Sequence, residues 1–201
     1  PDERWQTYYR ASGAWRLAQE NWWPFEAIDE FKVRYSIGTA GGRPGFSAQY
    51  ETFSVSGGVI TPQTLGNALL KPELATEQEF GVEMVLWNKV STGFTYAKNE
   101  IKDQLLSIPL AGFFGFSSQW QNAGTLESTT YEGWVEAAVI DEPDMGWSTR
   151  INVDQTTQEI TALNRAAYRS GFTYIREGEA LGTFYGSQWP SSCGDLPGGV
   201  A

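Results

Sequence analysis

The sequence contains no histidine. Without an imidazole, neither a Ser–His nor a Cys–His nucleophile pair can form. Cysteine is almost missing as well. Cys193 stands alone, so no disulfide can close within the chain, and it reads as a free thiol or one partnered from outside. Charge is sparse, 19% of residues, and tilted to acid: 14 Lys and Arg against 24 Asp and Glu, for a net −10. Phosphate backbones need clustered cations, so this balance disfavours nucleic acid, and none is expected as a partner. Mean hydropathy is −0.36, and no apolar run approaches the roughly 18–20 residues of a membrane helix. A helical membrane protein is excluded; a barrel is not, because half of each barrel strand is polar. Initiator methionine, signal peptide and lipidation motif are all absent. The chain opens at Pro1-Asp2-Glu3-Arg4-Trp5, on the threshold of a strand, and ends in "CGDLPGGVA", which reads as a loop interior. A fragment of something longer is expected.

Aromatics and glycine are plentiful: nine Trp, nine Tyr, 11 Phe and 22 Gly. They sit in segments that alternate. In "FKVRYSIGTAGGRP" (31–44), Phe31, Val33, Tyr35 and Ile37 alternate with Lys32, Arg34, Ser36 and Gly38 before the run dissolves into glycine. Period-two alternation predicts a β-strand with one apolar and one polar face. Similar patterns occupy 5–17, 77–87, 89–101, 129–140 and 147–154. Each runs roughly 7–13 residues, bracketing the ~9–11 of a tilted membrane strand and longer than the ~5–6 typical of soluble strands.

The connections alternate too. Trp87-Asn88-Lys89 predicts a tight hairpin, and 141–146, with Pro143 and Gly146, is turn chemistry throughout. The first two strands join across 18–30. The segments 38–76, 102–128 and 155 to the end are expected as long loops. In an up-and-down meander every long loop then falls on one side and every short turn on the other, as in outer-membrane barrels. Trp15, Trp22, Trp23, Trp87 and Trp147 lie at or beside the short turns. They fit an interfacial girdle, or else aromatics that stabilise a core or a hairpin.

Chemistry is harder to find. Glu77 with Glu79, Glu132 with Glu136, and Asp141 with Asp144 are carboxylate pairs of the kind a glycosidase uses. Solvated or lumenal positions explain them better. Asp141 and Asp144 are too few oxygen ligands for calcium, and "GTAGG" (38–42) lacks the Lys-Ser/Thr ending of a phosphate loop. No metal or cofactor is indicated. The apolar-aromatic stretches "RPGFSAQY" (43–50) and "PLAGFFGFSSQW" (109–120) read either as loop packing or as a ligand or partner surface.

Four longer strings resemble a known family. "GNALLKPELATEQEFGVEM" (66–84) is similar to the element preceding a barrel strand in TonB-dependent receptors. "FGFSSQWQNAGTLESTTYEGWVEAAV" (114–139) and "EGEALGTFYGSQW" (177–189) resemble loops of the SusC/RagA branch, and "AWRLAQENWWPFEAIDEFKVRYSIGTAG" (14–41) resembles its hairpin. They occur in family order. Ala180 stands where that branch often has proline, and "TLESTTYEG" (125–133) replaces its commoner pattern.

The resemblance implies an all-β fold, an antiparallel up-and-down transmembrane β-barrel segment of about six to eight strands from a barrel of about 22. Residues 1–201 would be one part of that barrel domain, with plug and remaining strands elsewhere. It implies a bacterial outer-membrane transporter of a bulky nutrient, oligosaccharide or peptide, and no enzyme. Its partners would be TonB, acting through residues outside this chain, a SusD-like lipoprotein lid, outer-membrane lipid and the remaining segments of the same receptor. Phe31, Val33, Tyr35 and Ile37 would face lipid, with Lys32, Arg34 and Ser36 lining the lumen. Phe113, Phe114, Phe116, Trp120, Tyr185 and Trp189 would contact ligand or partner. Three competing readings are a secreted carbohydrate-binding β-sandwich, a structural module of a surface assembly, and, last, a soluble glycosidase.

Overall fold

The computed structural model describes residues 6–186. Trp189 and Cys193 lie outside them. Its strands are β1 (Arg10–Arg16), β2 (Ile28–Gly42), β3 (Thr52–Ser56), β4 (Val59–Leu65), β5 (Glu73–Leu86), β6 (Val90–Pro109), β7 (Ser118–Glu142), β8 (Met145–Leu163), β9 (Tyr168–Ser170) and β10 (Thr173–Ile175). The wall is an antiparallel meander, β1-β2-β5-β6-β7-β8. The β3–β4 hairpin attaches at one end through a short parallel pairing, Thr64 with Ser118 and Leu65 with Gln119. The small β9–β10 hairpin forms a sheet of its own.

The strands are longer than the alternating segments. β6 has 20 residues, β7 25 and β8 19, about twice what a bilayer crossing needs. Three expectations are thereby corrected. The segment 102–128 is mostly strand, leaving 110–117 as the connection. β8 continues to Leu163 where loop was expected from 155. The segment 38–76 holds the end of β2, the β3–β4 hairpin and the start of β5. The cause is legible in Asp154-Gln155-Thr156-Thr157-Gln158-Glu159. When both faces of a strand are wet, no apolar member marks every second position, and the period-two signal vanishes although the strand persists. The asymmetry of the connections survives: 17–27, 87–89 and 143–144 lie at one end, and 43–72, 110–117 and the segment after 163 at the other.

Little of the chain is buried. The main cluster is Leu126, Ile160 and Ile175, with Ile101, Leu106, Leu163, Tyr168 and Leu181 against it. It lies where the segment after β8 folds back on the wall, held by Ile160 N donating to Glu179 O and Gly178 N donating to Ile160 O, both 2.9 Å. A β-sandwich buries its apolar faces between two sheets. Among the described residues no second sheet covers the large apolar face of the wall, which speaks against the sandwich reading.

Candidate functional site

Residues directly opposite on antiparallel strands point to the same face, so the register sorts the wall into rungs. On one face, Trp15, Val33, Val82, Phe94, Gly133 and Val153 form a rung across six strands. Phe31, Met84, Thr92, Val135 and Ile151 form the rung nearer the short turns. Trp15, Phe94, Val135, Ile151 and Val153 are exposed, Val153 by 67%, and the other members of the two rungs are half-buried against their neighbours on the same face. The apolar band is continuous and has nothing against it among the described residues.

The band ends in aromatics at both edges. Towards the short turns, Trp15 and Trp22 meet edge to face at 6.3 Å, Trp22 contacts Trp23, and Trp23 stacks on Phe31 at 5.5 Å. The Trp15 indole donates to Glu20 at 2.8 Å. Trp87 and Trp147 lie at the same end, both exposed. The opposite edge, which the sequence reading missed, is the rung Tyr35, Phe80, Tyr96 and Tyr131. Tyr96 and Tyr131 contact at 5.3 Å, and the Tyr35 hydroxyl donates to Gln78 at 3.2 Å. One rung further, Ile37 shares its face with Gln78, Lys98, Thr129 and Thr157. Lys98 pairs with Glu127 at 2.8 Å, and that hydrogen bond and charge raise the ammonium pKa above its ordinary value. The signal for this second edge was present: an aromatic near the end of the apolar series on each of β2, β5, β6 and β7.

The other face is polar. Lys32 pairs with Glu83 at 2.6 Å; Arg34 pairs with Glu79, approaches Glu83 at 3.4 Å and donates to Thr95 at 2.8 Å. Arg150 lies 4.5 Å over the Trp134 ring and pairs with Glu136 at 3.2 Å. Two of the suspected carboxylate pairs are thus divided, since Glu79 and Glu136 are held by arginines. Asp141 sits at the end of β7 opposite Gly146, and Asp144 in the turn.

At the long-connection end the predicted contact residues do not form one site. Phe113, 84% exposed, and Phe114 lie together at 4.3 Å in the 110–117 loop. Phe116 contacts Phe53 of the β3–β4 hairpin at 5.9 Å. Trp120 lies on β7 and lines a cavity of about 160 Å³ with Leu70 and Leu105. Tyr185 stacks on Tyr174 at 4.8 Å, in the segment after β8. Burial raises the pKa of Tyr168 in that segment.

The model of the family described as TonB dependent receptor-like, beta-barrel matches residues 1–197. TonB-dependent receptor P3 of Formosa agariphila is 30% identical over 94% of this chain and 21% of its own length. TonB-dependent receptor P26 of the same organism is 24% identical over 92% and 21%. The RagAB peptide importer in its "open-open" state superposes with a TM-score of 0.72 at 21% identity, over 88% of this chain and 20% of that one. Its "closed-closed" state gives 0.71 at 20% identity, over 85% and 20%. The chain spans about a fifth of the length of the relatives it matches, and the likeness to the solved structures is one of fold.

Proposed function

The chain belongs to the TonB-dependent receptor-like β-barrel family, and from that premise we propose that it forms part of the wall and outer loops of an outer-membrane transporter for a bulky nutrient. The apolar band, with Phe31, Val33 and Tyr35 in it, faces lipid. Its aromatic edges sit at the two interfaces, the tryptophans on the periplasmic side and the tyrosines on the outer one. The strands then continue past the tyrosine rung into the extracellular space. The polar face with Arg34, Lys32 and Ser36 lines the lumen.

The observation that carries this reading is an uncovered apolar band that ends in open edges. β1 and β8 each have one side unpaired along the band among the described residues. Unpaired backbone groups cannot persist in hydrocarbon. Further strands of the same receptor must therefore close the barrel on both sides.

Transport would draw its energy from TonB, through residues outside this chain. A SusD-like lipoprotein lid would seat on the outer loops, where Phe113, Phe114 and Tyr185 are exposed and Phe116 is half-buried against Phe53. The nutrient is an oligosaccharide or a peptide. Fractionation of native cells tests the frame of this reading, with an antibody against the 141–146 turn. A heat-modifiable band in the outer membrane, well above 22.3 kDa, is expected. A soluble band of 22.3 kDa would overturn it.

A further inference from the structure

The connection between β2 and β5 folds around a cleft of about 660 Å³, lined by Arg43, Pro44, Phe46, Gln49, Asn67 and Pro72 among others. It lies at the long-connection end of the wall. Arg43 makes no ion pair or hydrogen bond among the described residues, in a chain of net charge −10. An unpaired guanidinium amid surplus carboxylates is a cation left available. Phe46 is 79% exposed, its ring tilted against Tyr50 at 5.4 Å, so one aromatic face is open. Gln49 uses its amide nitrogen on Phe46 O at 3.1 Å, which leaves its side-chain oxygen to accept from a hydroxyl.

The frame beneath is built. Ala48 and Leu70 are buried. The Asn67 side chain donates to Trp120 O at 2.9 Å and accepts from Leu69 N at 3.0 Å. Asn122 of β7 grips the backbone of Lys71 from both sides, accepting from its N at 2.8 Å and donating to its O at 2.9 Å. A Cβ on Gly66 would come within 2.7 Å of Gln49 O, so the two limbs of the connection touch backbone to backbone. Such a frame avoids ordering costs when a ligand arrives.

We propose that this cleft binds an anionic sugar, a uronate ring of the transported nutrient. Arg43 would grip the carboxylate, Phe46 would lie under the ring, and Gln49 would take a hydroxyl. Arginine's planar fork matches a carboxylate in two parallel hydrogen bonds. An extended peptide fits less well. It would need free backbone donors, but Pro44 and Pro72 have none, and the amides of Ala48, Tyr50, Asn67, Leu69 and Lys71 are already bonded within the fold. This inference rests on the transport reading and adds the class of nutrient.

Calorimetric titration of the full-length receptor in detergent tests it, with four probes: a short galacturonate oligomer, its neutral galactose counterpart, a sulfated galactose oligomer and an acidic peptide. Galacturonate is expected to bind tightest, and less tightly as salt rises. Arg43→Gln should weaken galacturonate binding about ten- to hundredfold and leave the neutral oligomer unchanged. Arg43→Lys should restore only part, and Phe46→Ala should weaken both sugars. The assignment is overturned by absent galacturonate binding, by equal affinity for the neutral oligomer, by tighter binding of the peptide or sulfated oligomer, or by unchanged affinity in Arg43→Gln. Failure of the transport reading has another signature, accumulation of nutrient at the same rate with and without TonB.

Discussion

The guanidinium of Arg34 lies across Gly81, the residue opposite it on β5. A Cβ at position 81 would come within 2.4 Å of Arg34 Nε. The bare glycine lets the arginine stay low and reach over β5 to Thr95 on β6. Gly93 serves Trp134 in the same way: a Cβ there would come within 2.3 Å of the indole Nε1, and Arg150 covers the ring from above. Two glycines thus hold two large side chains flat against the polar face.

Replacing Gly81 with valine should lift Arg34 from the wall and pull it from Thr95 and Glu79. Overpacking of this kind costs about 1–3 kcal/mol, read as a lower midpoint in urea unfolding of the full-length barrel in micelles. Gly133→Ala is the contrast. Nothing lies within 4 Å of a Cβ there, so a strand glycine replaced by alanine should be neutral or gain about 0.5–1 kcal/mol. Equal losses at both positions would count against the Arg34 seat.

The two faces should answer differently to charge. Val33→Arg, in the apolar band, is expected to cost about 2–4 kcal/mol near the bilayer midplane. Ser36→Arg, three residues on but facing the polar side beside Glu77 and Glu79, should cost far less. Refolding titrations into lipid vesicles measure both, and similar costs would remove lipid from the apolar face.

Neighbouring turns are tied by Asp29, whose carboxylate accepts from Asn88 N at 2.6 Å and Asn88 Nδ2 at 2.9 Å. Asn88 sits at φ 51 and Trp87 at φ 50, backbone that asparagine tolerates better than tryptophan. Asp29→Ala should cost about 1 kcal/mol in this exposed setting. Amide exchange at Asn88 should accelerate, while that at Tyr96 stays slow.

Phe113 and Phe114 should matter for contact and not for folding. The double alanine variant is expected to keep its unfolding midpoint within about 0.5 kcal/mol, as exposed substitutions do. Its retention of nutrient or of the lid lipoprotein in pull-down should fall about tenfold, a loss of about 1.4 kcal/mol. Unchanged retention would leave these rings as loop packing only.

Much of the wall could be read in advance, and the limits of that reading are specific. Phe31 to Ile37 marked β2 because lipid or core on one side and water on the other impose alternation. Gln155 to Glu159 marked nothing, since a strand wet on both faces has no reason to alternate; its ladder to β7 is visible only in the structure. The tryptophans stand out in the sequence because they adjoin the short turns. The tyrosine rung was missed because Tyr35, Tyr96 and Tyr131 are far apart in sequence and become one edge only through register.

By itself the sequence determined which residues share a face, where the tight turns fall, and that one face is apolar and the other charged. Side-chain direction along a strand follows from the local backbone, so a few neighbouring residues suffice to read it. Tertiary structure alone decided that Arg34 meets Glu79, Gly81 and Thr95, that the wall continues past its aromatic edge, and that Arg43, without an ion pair among the described residues, stands beside Phe46 in a framed cleft. These are products of cross-strand hydrogen bonds and of a long connection folded on itself, contacts between residues that the chain keeps far apart.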